Sequence, residues 1–573
     1  MKTRTLLPAC LFLLCSVLFL SWKTWERPKA TGYAKLPNTP VALCGAISWD
    51  MTDTLLAQPR LLNGLGDLHY PVTTTSLEAQ KFFEQGLRLV YAFNHWEAIQ
   101  SFREATRLDP ECAMAYWGLA LAYGPNLNDV NPKDRERLAL DAILQAQKRK
   151  ARISQVEKDM IDALATRYNG KAYEVRDSLN QVYAGAMGNI AQRYPEDPEV
   201  QILYADAVMN TMPWDYWLPD GKPKLQTQEA KRVLESTLAK FPRHPGAHHL
   251  YIHLIEASPT PELGLNSAKF LEAAMPGAGH IVHMPSHIYV RTGDYTRAVL
   301  TNVKAAEVDE KYLARSENQG MYRLMYYPHN IDFICYSSYM EGRSNLGIQS
   351  ALKLAYKANF ILSSAPGFSQ YMQVEPMIAY TRFGKWNDIL ALPDPGKEPY
   401  PQVMWRFTRG MALLRTGFAL EAKYELTKLD SLAKLDALKS MYISFNPVSM
   451  AASIASDLLH GEVALKEKKF DEAITFFQKA VKTEDGMRYN EPPDWKLPTR
   501  HFLGAALLEA AKFAEAELVY NEDLKRNREN GWSLAGLHRA QHEQGKRDAV
   551  LSTVKRFSAS WKNADITTIT SRF

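Results

Sequence analysis

The chain has 573 residues, 46% of them hydrophobic and 23% charged. That is close to an average globular composition and excludes a disordered, collagen-like or many-span membrane protein. Sixty-eight basic against 63 acidic residues leave a net charge of only +5, too small for the basic footprint of a nucleic-acid binder. Five Cys cannot staple a chain this long, and the length allows about three to five domains or one long repeat array.

Lys2 and Arg4 precede an apolar run, residues 6–20, broken only by Pro8 and Ser16, with Lys23, Glu26, Arg27 and Lys29 behind it. This is the charge–apolar–polar order of an export signal. Residues 6–22 just reach the roughly 17-residue minimum for spanning a bilayer. Residues 1–22 are therefore read as a cleaved signal peptide or an uncleaved anchor, and either one carries the body out of the cytoplasm. The protein is expected in the periplasm or held to the membrane by residues 6–22, with no other membrane contact. Without that run, Cys44, Cys112 and Cys335 remain, an odd number that leaves at least one thiol unpaired within the chain.

Residues 23–75, rich in Pro, Gly and Thr, read as an extended tether and lead-in. Helical grammar begins with FFEQGLRLVYAFNHWEAIQSFREATRLDP at Phe82. Small residues at Gly86, Ala98 and Ala105 alternate with Leu89 and Phe102, and Pro110 closes the unit. Two helices come close only where small side chains let their backbones approach, and Pro stops the second helix. This is the pattern of a tetratricopeptide (TPR) repeat. It recurs at AMAYWGLALAYG, at 247–273 with Pro276 after it, at 279–305 and from Pro328 to Gly342. Later units fall at 458–481, at 501–520 and from Trp532 with Gly536, Gly545 and Ala549. Residues 147–240 keep a helical period with degenerate repeats, and no strand-alternating stretch of note occurs. The predicted fold is an all-α, TPR-like solenoid of helical hairpins behind an N-terminal apolar segment. Residues 76–390 form an N-terminal superhelix with a His-lined groove, and 391–573 form the C-terminal repeats. Stacked neighbours stabilise such an array, and its concave face binds ligands.

The 14 His are unevenly spread: His244, His248, His249, His253, His280, His283 and His287 lie close together, and His329 opens the next repeat. On the repeat frame, His249, His280 and His329 take the second place of the first helix in three successive units. His283 and Asp332 take the fifth place, and His287 and Glu256 the ninth; these places face the groove. His253 misses by one. His at i, i+4 give a helix two ligands on one face, and axes about 8–10 Å apart let rings from neighbouring helices meet. His249, His253, His280, His283, His287 and His329 are thus the expected ligands of a divalent transition metal, Zn, Fe, Cu or Mn. The surplus over four ligands points to two ions or to an open site with His and acids around it. Glu256 beside a metal-bound water is the candidate general base. Pro285 threatens the His283–His287 geometry, because Pro inside a helix removes a hydrogen bond and kinks it.

Asp332 and Arg291 are placed on the groove, and Trp214 and Trp217, in MNTMPWDYWLPDG, on a loop that caps it or simply turns. In YNEPPDWKLPTRHFLG two prolines after Glu491 force an extended loop, and Arg500 and His501 open the following helix; this is read first as a structural turn and second as a groove-facing acidic and basic set, and Asn94-His95 and His69 are read as structural. Phosphate-loop, Ser-nucleophile, H-E-x-x-H and C-x-x-C motifs are absent from the sequence, so any chemistry rests on the His cluster.

The runs YAFNHWEAIQSF, DPECAMAYWG, GPNLN, HPGAHHLYIHLIEAS, PGAGHIVHMPSHIYVRTGDY, YYPHNIDF, EPPDWKLPTR and NGWSLAGL resemble a family of long bacterial TPR proteins. The likeness runs from about His69 to Gly545. HMPSHIY is its most specific part, because a generic TPR unit needs no His there. The family pattern has His where this chain has Asp332. The resemblance implies a TPR fold and an exported location, and it brings no activity. Two functions stay open: a metal-binding solenoid, as an enzyme of unnamed reaction or a metal carrier, or a metal-free scaffold. The groove would hold a peptide, a protein or a small molecule.

Overall fold

The computed structural model describes residues 59–130, 132, 134–316, 320, 322–359, 366–567 and 570–572. All of them lie in one compact unit. The expected signal or anchor and most of the tether lie outside the described residues. Among the described residues no helix is long and apolar enough to cross a membrane.

Each helix packs on the next along the chain, and many also touch the next but one. The pattern starts with Leu77–Tyr91 and His95–Leu108. The Ser76 and Asn94 side chains accept from the Ala79 and Glu97 amides and so satisfy donors at the two helix starts. The second helix ends at Leu108, just before Pro110. The small residues do what the sequence pattern requires. Phe102 lies between Gly86 and Gly118, and a Cβ there would stand 2.7 and 2.3 Å from its ring. Tyr520 sits in the same way between Gly504 and Gly536, with 2.4 and 2.2 Å left for a Cβ. The degenerate stretch is helical too, as Gln155–Ala165, Ala172–Arg193, Pro198–Met209 and Leu225–Lys240.

The expected hairpins of the His region form as Pro245–Ile255 with Leu265–Ala274, Gly279–His283 and Pro285–Thr292 with Tyr295–Leu313, and Tyr327–Met340 with Ser344–Ala358. Gly293 and Gly342, at φ +84° and +75°, make the two turns, a left-handed backbone that Gly adopts without cost from a Cβ. One short exception to the all-helical reading is an antiparallel pair, Tyr442–Ile443 with Asn446–Pro447.

The lead-in is not loose where it is described. Leu62 N donates to Gln85 Oε1 at 2.6 Å, Gln85 Nε2 returns to the Arg60 carbonyl, and Gly277 N donates to the Gly64 carbonyl at 2.8 Å. Buried apolar side chains form two clusters that meet at Tyr327–Met340. Tyr326, Phe333, Tyr336 and Met340 belong to one, and Tyr327, Ile331, Cys335 and Tyr339 to the other. That helix is a shared wall, and it carries His329. Cys112 and Cys335 are both buried free thiols; Cys44 lies outside the described residues.

Candidate metal centre

The three hairpins bring six imidazoles into one buried band. His249 and His253 come from Pro245–Ile255, one turn apart on one face. His280 and His283 come from Gly279–His283, His287 from Pro285–Thr292 and His329 from Tyr327–Met340. Pro285 does not spoil the spacing. Met284 keeps helical angles (φ −50°, ψ −38°) and still donates to the His280 carbonyl at 3.1 Å. Pro285 opens its own short helix there, where its missing N–H costs little. His283 Nε2 and His287 Nε2 end 2.8 Å apart.

Four rings are fixed by their Nδ1 edges. His249 Nδ1 donates to the Tyr91 carbonyl at 2.6 Å, and His253 Nδ1 to Glu256 Oε1 at 3.0 Å. His283 Nδ1 meets Asn302 Oδ1 at 2.7 Å, and the amide cannot be reversed because its Nδ2 donates to the Ala298 carbonyl. His287 Nδ1 is shared by Glu256 Oε2 and Glu491 Oε2. With Nδ1 committed, each ring turns its Nε2 inward, the way second-shell acceptors orient metal-binding His. His249 Nε2 lies 3.2 Å from His280 Nε2, while His253 Nε2 and His280 Nδ1 are buried without a hydrogen-bond partner. His329 is half-buried, its ring centroid 4.9 Å from that of His283.

Burial holds His249, His280 and His283 well below the usual imidazole range, and the neighbouring rings add to it. His253 is also lowered by burial, against the pull of Glu256. Burial opposes protonation of His287 too, but Glu256 and Glu491 outweigh it and hold that ring up. Neutral rings keep the lone pairs that a metal requires.

The groove residues divide. Trp214 packs edge-on to His253 at 5.1 Å and anchors its Nε1 on the Leu127 carbonyl. Trp217 bonds to the Leu254 carbonyl and packs on the core instead. Arg291 donates to the Glu256 and Ser258 carbonyls and lies over Tyr489. Asp332 faces the chamber beside the band, but its carboxylate takes Lys496 Nζ and the Tyr371 hydroxyl. It is therefore neutralised by an ammonium rather than standing in for an imidazole. Glu256, expected as a general base, has an oxygen on each of two His Nδ1 atoms. In this arrangement both oxygens are engaged in positioning rings. His244 and His248 lie outside the band, paired with Glu199 and with Ser267 and the Pro242 carbonyl.

Sequence reasoning kept a groove-facing role for the Glu491 segment only as its second reading and missed Lys496. The EPPDWK run returns from more than 150 residues away, and Lys496 Nζ sits fully buried between Asp332 and Glu375. Composition carried no sign of this; only the stiff Pro-Pro loop hinted that the segment had a fixed place.

His253, His280, His287 and His329 line one wall of a chamber of about 700 Å³, including its open mouth. Trp214, Tyr326, Phe368, Tyr371 and Phe445 are the aromatic residues among the rest of the lining.

No family model and no curated protein matches the chain. Solved structures similar to it include Cut9–Hcn1 of the APC/C, at 13% identity over 86% of this chain and 75% of that one, with a TM-score of 0.29. The human IFIT1 dimer with m7Gppp-AAAA gives 13% identity over 86% and 92%, with a TM-score of 0.30. The TPR domain of P58(IPK) gives 13% identity over 82% and 99%, with a TM-score of 0.20. Likeness at that level carries no argument. The hairpin solenoid rests on the helix packing described above.

Proposed function

We propose that the chain is a transition-metal-binding helical solenoid, whose metal faces an aromatic-walled chamber. One observation carries the reading: acceptors hold the Nδ1 edges of His249, His253, His283 and His287, so four Nε2 edges converge on one buried band. A helix-packing role needs none of this convergence. Zinc, iron, copper and manganese remain the ions to test, since imidazole suits this group better than calcium or magnesium. The aromatic walls suit a small molecule. Export by the N-terminal run belongs to the same proposal.

The competing reading is a metal-free scaffold for a peptide or protein partner, and its support is the hairpin stack itself, since repeat arrays commonly bind partners. Elemental analysis of protein purified without a His tag separates the two. The metal reading expects stoichiometric transition metal, lost in His283→Ala/His287→Ala while the helical circular dichroism is kept. Metal-free wild type, or metal unaffected by the double substitution, would leave the scaffold.

A further inference from the structure

The six rings form a ladder rather than a ball. His249 has ring contacts with His253 and His280, at 4.8 and 5.0 Å between centroids. At the other end His329 contacts His283 and His287, at 4.9 and 5.8 Å. The two ends are joined by His253–His287 at 5.7 Å and His280–His283 at 5.8 Å. Two donors on one ion can stand no further apart than about twice the metal–nitrogen distance, or roughly 4.2 Å. His249 and His329 are linked only through intervening rings, an arrangement that favours separate ions at the two ends.

The donor atoms divide in the same way. His249, His253 and His280 bring one nitrogen each within 4.8 Å of one another, and so do His283, His287 and His329. Each triad contains one close Nε2–Nε2 contact, 3.2 Å in the first and 2.8 Å in the second. Two nitrogens on one four-coordinate ion stand roughly 3–3.4 Å apart. Glu256 ties the triads together, with one oxygen on His253 of the first and the other on His287 of the second.

Resting on the metal reading above, we infer that the band is a two-ion centre, each ion held by three imidazoles and both open to the chamber. Three protein ligands leave a coordination position free on each ion. His253 and His280 of one triad and His287 and His329 of the other line the chamber wall, so one small molecule in the chamber reaches both ions. A donor set of imidazole alone suits zinc or copper best. Glu256, outside both coordination shells, supplies counter-charge to both.

The test uses the full-length chain, stripped with a chelator and titrated with Co(II), whose visible absorption reports its ligands. Bound cobalt is counted by equilibrium dialysis. Wild type should take two equivalents. His249→Gln/His280→Gln and His283→Gln/His329→Gln should each keep one, with circular dichroism confirming the fold. A second measurement needs no substitution: the low-temperature electron paramagnetic resonance signal per cobalt should fall between one and two equivalents, as adjoining ions couple. One equivalent in wild type, abolished by either double substitution, overturns the two-ion centre and leaves the metal reading standing. Two uncoupled equivalents overturn the shared centre. No uptake overturns both readings.

Discussion

Two buried polar clusters in this protein, one built around a single His and one around six, differ in what they leave unsatisfied. In the C-terminal repeats His501 is fully buried, its Nδ1 accepting from both Arg382 Nη atoms at 3.2 Å and its Nε2 facing Asp523 Oδ2 at 3.2 Å. Asp523 is filled in turn by Ser533, Asn530 and Asn527, and Arg382 lies 4.3 Å over Trp532. Both ring nitrogens have protein partners, so the ring is complete as it stands. In the band from His249 to His329 one edge of each fixed ring is satisfied and the other is turned toward another imidazole. Burial is common to both clusters. Only the second has inward donors with nothing but each other to face, and buried polar groups in folded proteins are rarely left so.

The strongest way to break the comparison acts on the His501 cluster. Asp523→Ala removes the acceptor for His501 and the counter-charge for Arg382. Removing one partner of a buried pair costs about 3–5 kcal/mol. Urea unfolding should show that loss, while metal content per folded chain stays at the wild-type value. If metal falls with it, the two clusters are coupled and the distinction drawn here fails.

Glu256→Gln comes next and acts on the band alone. The amide keeps the shape but cannot accept fully from both His253 and His287, and it removes the shared charge. Loss of an outer-shell partner typically costs 10–100-fold in metal affinity. Because Glu256 serves two rings, the drop should lie toward the upper end, measured by competition with a chromophoric chelator. Asn302→Leu frees His283 alone and should cost about tenfold in the same assay. Equal, negligible effects from both would mean that these acceptors hold helices together rather than orienting ligands.

The fold was largely legible because its rule is local. Gly86, Ala98, Phe102 and Pro110 report close approach and termination within one repeat, and the same signs recur along the chain. The six rings were legible for a related reason: equivalent places in successive repeats lie side by side when the repeats stack. What could not be read is whatever crosses that order. Glu491 reaches His287 and Lys496 reaches Asp332 from loops more than 150 positions away. Repeat periodicity says nothing about a loop that folds back. Glu256 was found as a residue but its contacts were not, because spacing gives proximity but not which oxygen meets which Nδ1. Trp217 was misplaced for the same reason, being three residues from Trp214 in a loop without a helical frame.

The smallest expected effect tests whether adjacency in sequence to the band is enough to matter. His248 and His249 are neighbours, yet successive helical residues point in different directions. His249 turns into the band, and His248 turns to Ser267 Oγ at 2.9 Å and the Pro242 carbonyl at 3.0 Å, stacked on Phe270. With Nε2–H on the carbonyl, Nδ1 accepts from the serine, so this ring is complete in the manner of His501. Ser267→Ala removes one buried hydrogen bond, worth about 1 kcal/mol, and should lower the unfolding midpoint slightly with cobalt uptake unchanged. His248→Gln should likewise leave uptake unchanged, whereas His249→Gln lowers it. If the two His substitutions affect uptake equally, position along the helix, and not the partner of each ring nitrogen, governs binding.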